Sequence, residues 1–263
     1  MDHAFLTACA CIVQLSELLN MRFGSAGKPH PISTSTQRIF AYHNKHDYEQ
    51  RDLEIGKVCM LTMHLRDIQT HDSELLAHFR KRAHRVRNWE EYFGWRMEVN
   101  VAATLSRSGV RFCKSESPDF TLNDGEAFIE CGSIHYSSTR PKGETIIRKV
   151  LQAIQAKSRK PYCQEAAALA LDATNIYWAI KKTGDAIQNT ELRQLIQVLL
   201  DNGDSAFGSV MLFGYFMRLD HTFESDYLRI DSPQIASSLK ALLNRCFPWG
   251  EHSTGVAWSP HQG

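Results

Sequence analysis

Apolar positions recur at helical spacing through the first third of the chain, and from Asn88 onward helical stretches alternate with short runs of strand character. Phe5 to Phe23, Ile55 to Arg66 and Ser73 to Arg87 are predicted helices, and Gly24 to Thr36, rich in Gly, Ser and Pro, is a predicted loop. Ser73 ahead of Leu75, Leu76 and Phe79 reads as a capped amphipathic start. Asn88 is placed to cap a helix with Phe93, Met97, Val101 and Leu105 on its apolar side, and Ser108-Gly109 supplies its stop. A strand then starts in Val110 to Cys113. A second, Phe120-Thr121-Leu122, turns at Asn123-Asp124-Gly125 into a returning strand through Phe128 to Cys131. Beyond it the pattern predicts a helix from Glu144 to Lys160, a strand from Ala166 to Asp172 and a helix from Thr190 to Leu200. Strands follow at Val210 to Phe216 and Tyr227 to Ile230, then a helix opened by Ser232 or Pro233 and running to about Cys246.

The expected fold class is therefore α/β in the broad sense (α+β), a mixed central sheet flanked by helices behind a mainly helical N-terminal region. Residues 1–86 read as a helical accessory region, 87–250 as the mixed domain and 251–263 as a loosely held tail. No internal repeat or low-complexity segment interrupts this order.

At 43% hydrophobic and 22% charged, the 263 residues have the composition of an ordinary globular protein with a sizeable core. No apolar run reaches membrane-spanning length, and the apolar start carries Gln14 and Glu17, so no membrane association is expected. Seven scattered cysteines, mostly with apolar neighbours, point to buried reduced thiols and a cytoplasmic setting. Cys9-x-Cys11 has no second Cys or His pair at zinc spacing.

A net charge of +1 conceals an uneven distribution. Arg80, Lys81, Arg82, Arg85 and Arg87 form one basic stretch, and Arg140, Lys142, Arg148, Lys149, Lys157, Arg159 and Lys160 form another. Such clusters suit phosphate contacts, which dominate nucleic-acid affinity, although a solvated basic helix face has the same composition. They flank three carboxylates. Glu98 lies at the edge of an apolar helix face, where a charge requires a partner, a metal or an escape to Arg96 or Arg107. Asp119 stands where the hairpin's first strand begins, and Glu130 shares a strand face with Phe128. If Asp119 and Glu130 lie side by side on adjoining strands, both reach one hard cation, the requirement for metal-assisted phosphodiester hydrolysis.

In this order of elements, Trp89 to Thr174 resembles the PD-(D/E)xK superfamily of restriction-endonuclease-like nucleases. The likeness rests on Glu98 in Met97-Glu98-Val99, Asp119 in Pro118-Asp119-Phe120 and Glu130 in Phe128-Ile129-Glu130-Cys131. It implies a restriction-endonuclease-like sheet core and cleavage of nucleic acid, DNA first, dependent on Mg²⁺ or Mn²⁺. Asp119 and Glu130 become the implied metal ligands, and Glu98 the helix carboxylate that binds or orients the metal and its water.

The family's lysine stands two residues after the second acid, and here that residue is Gly132. A cation from the next helix would serve in its place. Lys149 and Lys157 are both admissible, being eight residues apart and so on neighbouring helix faces, and the sequence does not choose between them. The alternative function is an inactive nuclease-like module that binds nucleic acid or a protein partner. Residues 1–86 are open to a homodimer or a partner protein. Among other residues, His43-x-x-His46-Asp47 is the nearest approach to a histidine metal motif, His135 adjoins the Glu130 strand, and Tyr136, Tyr162 and Trp178 suit packing or base stacking. No phosphate loop, dinucleotide fingerprint or Gly-x-Ser-x-Gly element is present.

Overall fold

The computed structural model describes residues 2–23, 30–134, 143–174, 189–217, 223–248 and 252–258. Its chain divides into two compact units, one comprising Met1–Arg107, Tyr215–Ser225 and Ser253–Gly263, the other Ser108–Gly214 and Asp226–His252.

In the first unit, helices α1 (His3–Leu19), α2 (Pro31–Asn44), α4 (Ser73–Ala83) and α5 (Trp89–Arg107) pack on α3 (Tyr48–His71). α3 is the axis of the group because its apolar residues do not keep to one stripe. Leu53, Ile55, Val58, Cys59, Met60, Leu61, Leu65 and Ile68 are all buried, so every side of the helix needs a neighbour. α2 begins inside the stretch expected to be a loop. Pro31 is pre-set for a first helical position, and His30 Nδ1 accepts the Ile32 N–H at 3.2 Å, so a proline read as punctuation is a helix start. The cap of α4 is Asp72 rather than Ser73, its Oδ1 accepting the Leu75 N–H at 2.9 Å. Asn88 caps α5 as expected, with Oδ1 2.9 Å from the Glu91 N–H. α5 is not one-sided, however: all residues from Trp95 to Ser106 are buried.

The second unit opens after α5 at Gly109, whose φ of +61° provides the left-handed stop. Strands β1 (Phe112–Lys114), β2 (Phe120–Leu122) and β3 (Ala127–Ser133) are antiparallel neighbours, and β4 (Ala167–Asp172) and β5 (Ser209–Met217) continue the sheet in parallel. The antiparallel and parallel pairs together make the sheet mixed, and its order runs on through β6 (Phe223–Asp231) to β7 (His252–Trp258), whose residues from Ser253 are counted with the first unit. The last of these strands lies within the segment expected to be a loose tail.

Helix α6 (Gly143–Ser158) carries Ile146, Val150 and Ile154 onto one face of the sheet, beside Leu192, Ile196 and Leu199 of α7 (Asn189–Asp201). They meet Leu169 and Leu171 of β4 and Val210 and Leu212 of β5. α8 (Ser237–Cys246) starts five residues later than Ser232, because Ser232 to Ala236 is engaged in turn bonds: Ser232 Oγ accepts the Gln234 N–H at 3.2 Å, and Ala236 N–H reaches Glu165 O at 2.9 Å. All seven cysteines are free, but only Cys59, Cys131 and Cys246 are buried, and Cys113 is exposed on β1. Among the described residues no helix is long and apolar enough to cross a membrane.

Candidate metal centre

The β2–β3 hairpin brings the second unit's two acids together. Its turn is held by Asn123, Asp124 and Gly125, with φ of 45°, 60° and 103°, and its register sets Phe120 opposite Ile129. Continued by one residue, that register sets Asp119 opposite Glu130, and directly opposed residues share a face. The parallel pairing of β3 with β4 places Glu130 beside Leu169 and Gly132 beside Leu171, on the face covered by α6. Asp119 and Glu130 are 8% and 4% exposed, so their charges have to be met from within the protein.

Each of the four carboxylate oxygens accepts a hydrogen bond from a different donor. Asp119 Oδ2 accepts the Cys131 N–H at 2.8 Å, and Oδ1 accepts Lys114 Nζ at 3.0 Å. Glu130 Oε1 accepts Lys157 Nζ at 2.5 Å, and Oε2 accepts the Tyr162 hydroxyl at 2.5 Å. Lys157 Nζ also donates to the Cys131 carbonyl at 3.1 Å.

Lys157 arrives from α6 because it follows buried Ile154 by three positions, on the sheet-facing side of the helix. Its stem occupies space that Gly132 leaves: a Cβ at residue 132 would lie 3.6 Å from Lys157 Cε and 2.9 Å from Leu171 Cδ2. Of the two lysines left open by the sequence, Lys157 therefore reaches the acids from the helix, over a residue without a side chain. Lys149 lies eight residues earlier on α6 and is half-buried.

Burial works against the Lys157 charge, but the bond and charge of Glu130, with the charge of Asp119, prevail and raise its pKa above the usual lysine value. Burial and then Glu130 push the Tyr162 phenol up, against a lowering hydrogen bond from Ser117. Burial also pushes the Cys163 thiol up to about 11, and its Sγ donates to the Lys157 carbonyl at 3.1 Å.

Glu98 belongs to the helical unit. Both its oxygens are engaged by the Arg82 guanidinium, Nη1 bonding Oε2 and Nη2 bonding Oε1 at 2.8 Å. Arg82, a residue of the basic stretch expected to contact phosphate, is thus a partner of Glu98. Arg80 of that stretch spends its Nε on the Leu18 carbonyl at 2.9 Å. Lys81, Arg85 and Arg87 are exposed, as are Arg148, Arg159 and Lys160, while Arg140, Lys142, His135, Tyr136 and Trp178 lie outside the described residues.

His43 stacks on Phe5 with ring centres 3.9 Å apart, and Asp47 caps α3, so the His43-x-x-His46-Asp47 segment has local structural work. Among the described residues no group of three or more His, Cys, Asp and Glu is placed to hold a metal ion. A pair of carboxylates remains, an oxygen donor set of the kind that Mg²⁺ or Mn²⁺ takes with water and without the Cys or His ligands usual for zinc.

Sequence reasoning missed Lys114 and read Tyr162 for packing or base stacking, without its bond to Glu130. Lys114 stands next to exposed Cys113 on a three-residue strand, too short for alternation to mark an inward side chain. Tyr162 reaches Glu130 through the turn after α6, where the Lys160 N–H bonds the Lys157 carbonyl at 3.2 Å and the Cys163 N–H bonds the Lys160 carbonyl at 3.0 Å. A nonperiodic turn leaves no pattern from which such reach can be read. Compared with protein-family models, with curated proteins and with solved structures, the chain matches none.

Proposed function

We propose that the protein is a metal-dependent endonuclease that hydrolyses phosphodiester bonds of nucleic acid, DNA first, with Asp119 and Glu130 as ligands of Mg²⁺ or Mn²⁺. The observation that carries the reading is the Lys157 ammonium 2.5 Å from Glu130 Oε1, with its stem over Gly132. It restores a cation to the acid pair at the place where the resemblance to PD-(D/E)xK nucleases lacks one. Held by Asp119 and Glu130, such a metal would supply charge neutralisation at the scissile phosphate and a lowered pKa for a bound water.

The chain's own residues do the rest. Asp119 is aimed by the Cys131 N–H, and Glu130 is oriented through Oε2 by Tyr162. Lys157 holds a full positive charge at neutral pH beside both acids, where it stabilises charge developing on the phosphate. Exposed Arg148, Arg159 and Lys160 supply backbone contacts. Glu98, bound by Arg82, is assigned the support of its helix rather than metal binding.

The test is incubation of purified protein with plasmid, single-stranded DNA and RNA in Mg²⁺, Mn²⁺ or EDTA, beside Asp119→Ala. Cleavage by wild type with metal, lost in EDTA and in the variant, is the expected outcome. Equal cleavage by both proteins would refute it, and binding by both without cleavage would make this an inactive binding module.

A further inference from the structure

Lys114 has no counterpart in the resemblance and no role in the reading above. Its side chain is only 4% exposed, and Nζ donates to Asp119 Oδ1 at 3.0 Å and to the Ser115 carbonyl at 2.5 Å. The ammonium lies 5.2 Å from the centre of the Phe120 ring, so its environment is the hairpin itself rather than solvent. The other oxygen of Asp119 is taken by a backbone N–H, which cannot move without opening the strand. Oδ1 is the atom of Asp119 at which an incoming metal would meet another cation, since Lys114 already binds it.

The charges make that competition direct. Lys114 is paired with Asp119 and Lys157 with Glu130, so each acid already faces an ammonium. A divalent ion sharing Asp119 Oδ1 with an ammonium would place two cations on one oxygen in a buried setting, where like charges repel strongly. Lysine has a flexible stem and a point charge, so it is suited to release the oxygen rather than to share it.

We propose that Lys114 is a built-in competitor for the metal, the internal cation that Mg²⁺ or Mn²⁺ displaces from Asp119, and that it sets the metal affinity of the site. The proposal rests on the metal-centre reading. Removing the competitor has to strengthen metal binding, whereas a lysine that merely supports the fold would leave it unchanged or weaken it.

The experiment is calorimetric titration of Mn²⁺ into the full chain stripped with EDTA, together with thermal melting, for wild type, Lys114→Met, Lys114→Arg and Asp119→Ala. Lys114→Met is expected to bind Mn²⁺ about tenfold or more tightly, since one nearby unit charge moves a carboxylate's cation affinity by that order. Its melting temperature should fall in EDTA and rise further on Mn²⁺ addition than that of wild type. Lys114→Arg, which keeps the competing charge and holds a carboxylate more firmly, should bind no more tightly than wild type, and Asp119→Ala should not bind.

Unchanged or weaker binding by Lys114→Met, with Asp119→Ala inactive in binding, overturns this proposal and leaves the metal-centre reading standing. Binding by Asp119→Ala equal to wild type, or no binding by wild type, overturns both. Should Lys114→Met fail to fold, lysine-selective ¹⁵Nζ spectra of wild type decide. Loss or a large shift of the Lys114 ammonium signal at saturating Mg²⁺ is expected, and an unmoved signal refutes the displacement.

Discussion

Replacing Lys157 with Met keeps most of the stem over Gly132 and removes the charge. The lost contact is a charge-assisted hydrogen bond of 2.5 Å to a carboxylate whose side chain is 5% exposed, from a lysine whose side chain is 34% exposed. Such a bond contributes roughly 1.5–3 kcal/mol when desolvated, and the open side of Lys157 reduces this to about 1–2 kcal/mol by solvent screening. Tyr162 still donates to Oε2, so the variant should fold.

The pH dependence has a fixed sign. The pKa of Lys157 is raised in the folded protein above the ordinary 10.5, so its contribution is complete below pH 10.5 and is lost as pH rises through the higher folded value. Urea denaturation across pH 8 to 12 should show the difference between wild type and Lys157→Met narrowing only at the alkaline end. Single-turnover cleavage in Mg²⁺ should fall by about 10²–10³, the scale of losing one electrostatic donor to the transition state, while Mn²⁺ binding persists. Cleavage at the wild-type rate, or a stability difference constant over the whole range, would refute the role assigned to Lys157.

Three further outcomes are expected. Arg82→Ala removes the two-bonded partner of a Glu98 side chain that is 8% exposed, and urea denaturation should show a loss of about 1–3 kcal/mol, the arginine being 36% exposed; no loss would show that the pair is idle. Burial, followed by the charges of Arg107 and Arg96, pushes the His64 pKa down to about 3, so the protein loses stability as pH falls from 6.5 towards 3. His64→Leu should remove a part of that acid loss on the order of 4–5 kcal/mol, at 1.36 kcal/mol per pKa unit, and an unchanged acid limb would contradict the assignment. At Gly56 a Cβ would lie 2.3 Å from Phe223 Cγ, so Gly56→Ala should lower the melting temperature by the equivalent of about 1–3 kcal/mol despite its better helix propensity, and a rise would refute the overlap.

The hairpin was legible because its signals are local. Asn123-Asp124-Gly125 specifies the turn and the two-residue period fixes which side chains share a face, so the neighbourhood of Asp119 and Glu130 follows from a short stretch of chain. Lys157 was legible as one of two choices, since helical period brings it to the sheet side but reach across α6 depends on packing. Glu98 was legible as a buried charge in need of a partner, yet Arg82 lies 16 residues away on another helix, and no periodicity records that crossing. The start of α2 was hidden by proline, which ends helices and also begins them. Lys114 was hidden by a strand too short to show alternation, and Tyr162 by an irregular turn.

Metal-dependent strand cleavage is the central claim, and it is tested most directly by single-turnover assays on plasmid DNA with wild type, Glu130→Ala and Lys157→Met at matched protein concentration. Wild type should nick the DNA in Mg²⁺ or Mn²⁺ and stop on addition of EDTA, with Glu130→Ala inactive and Lys157→Met strongly slowed. Cleavage that survives EDTA, or that proceeds equally in all three proteins, would contradict the account.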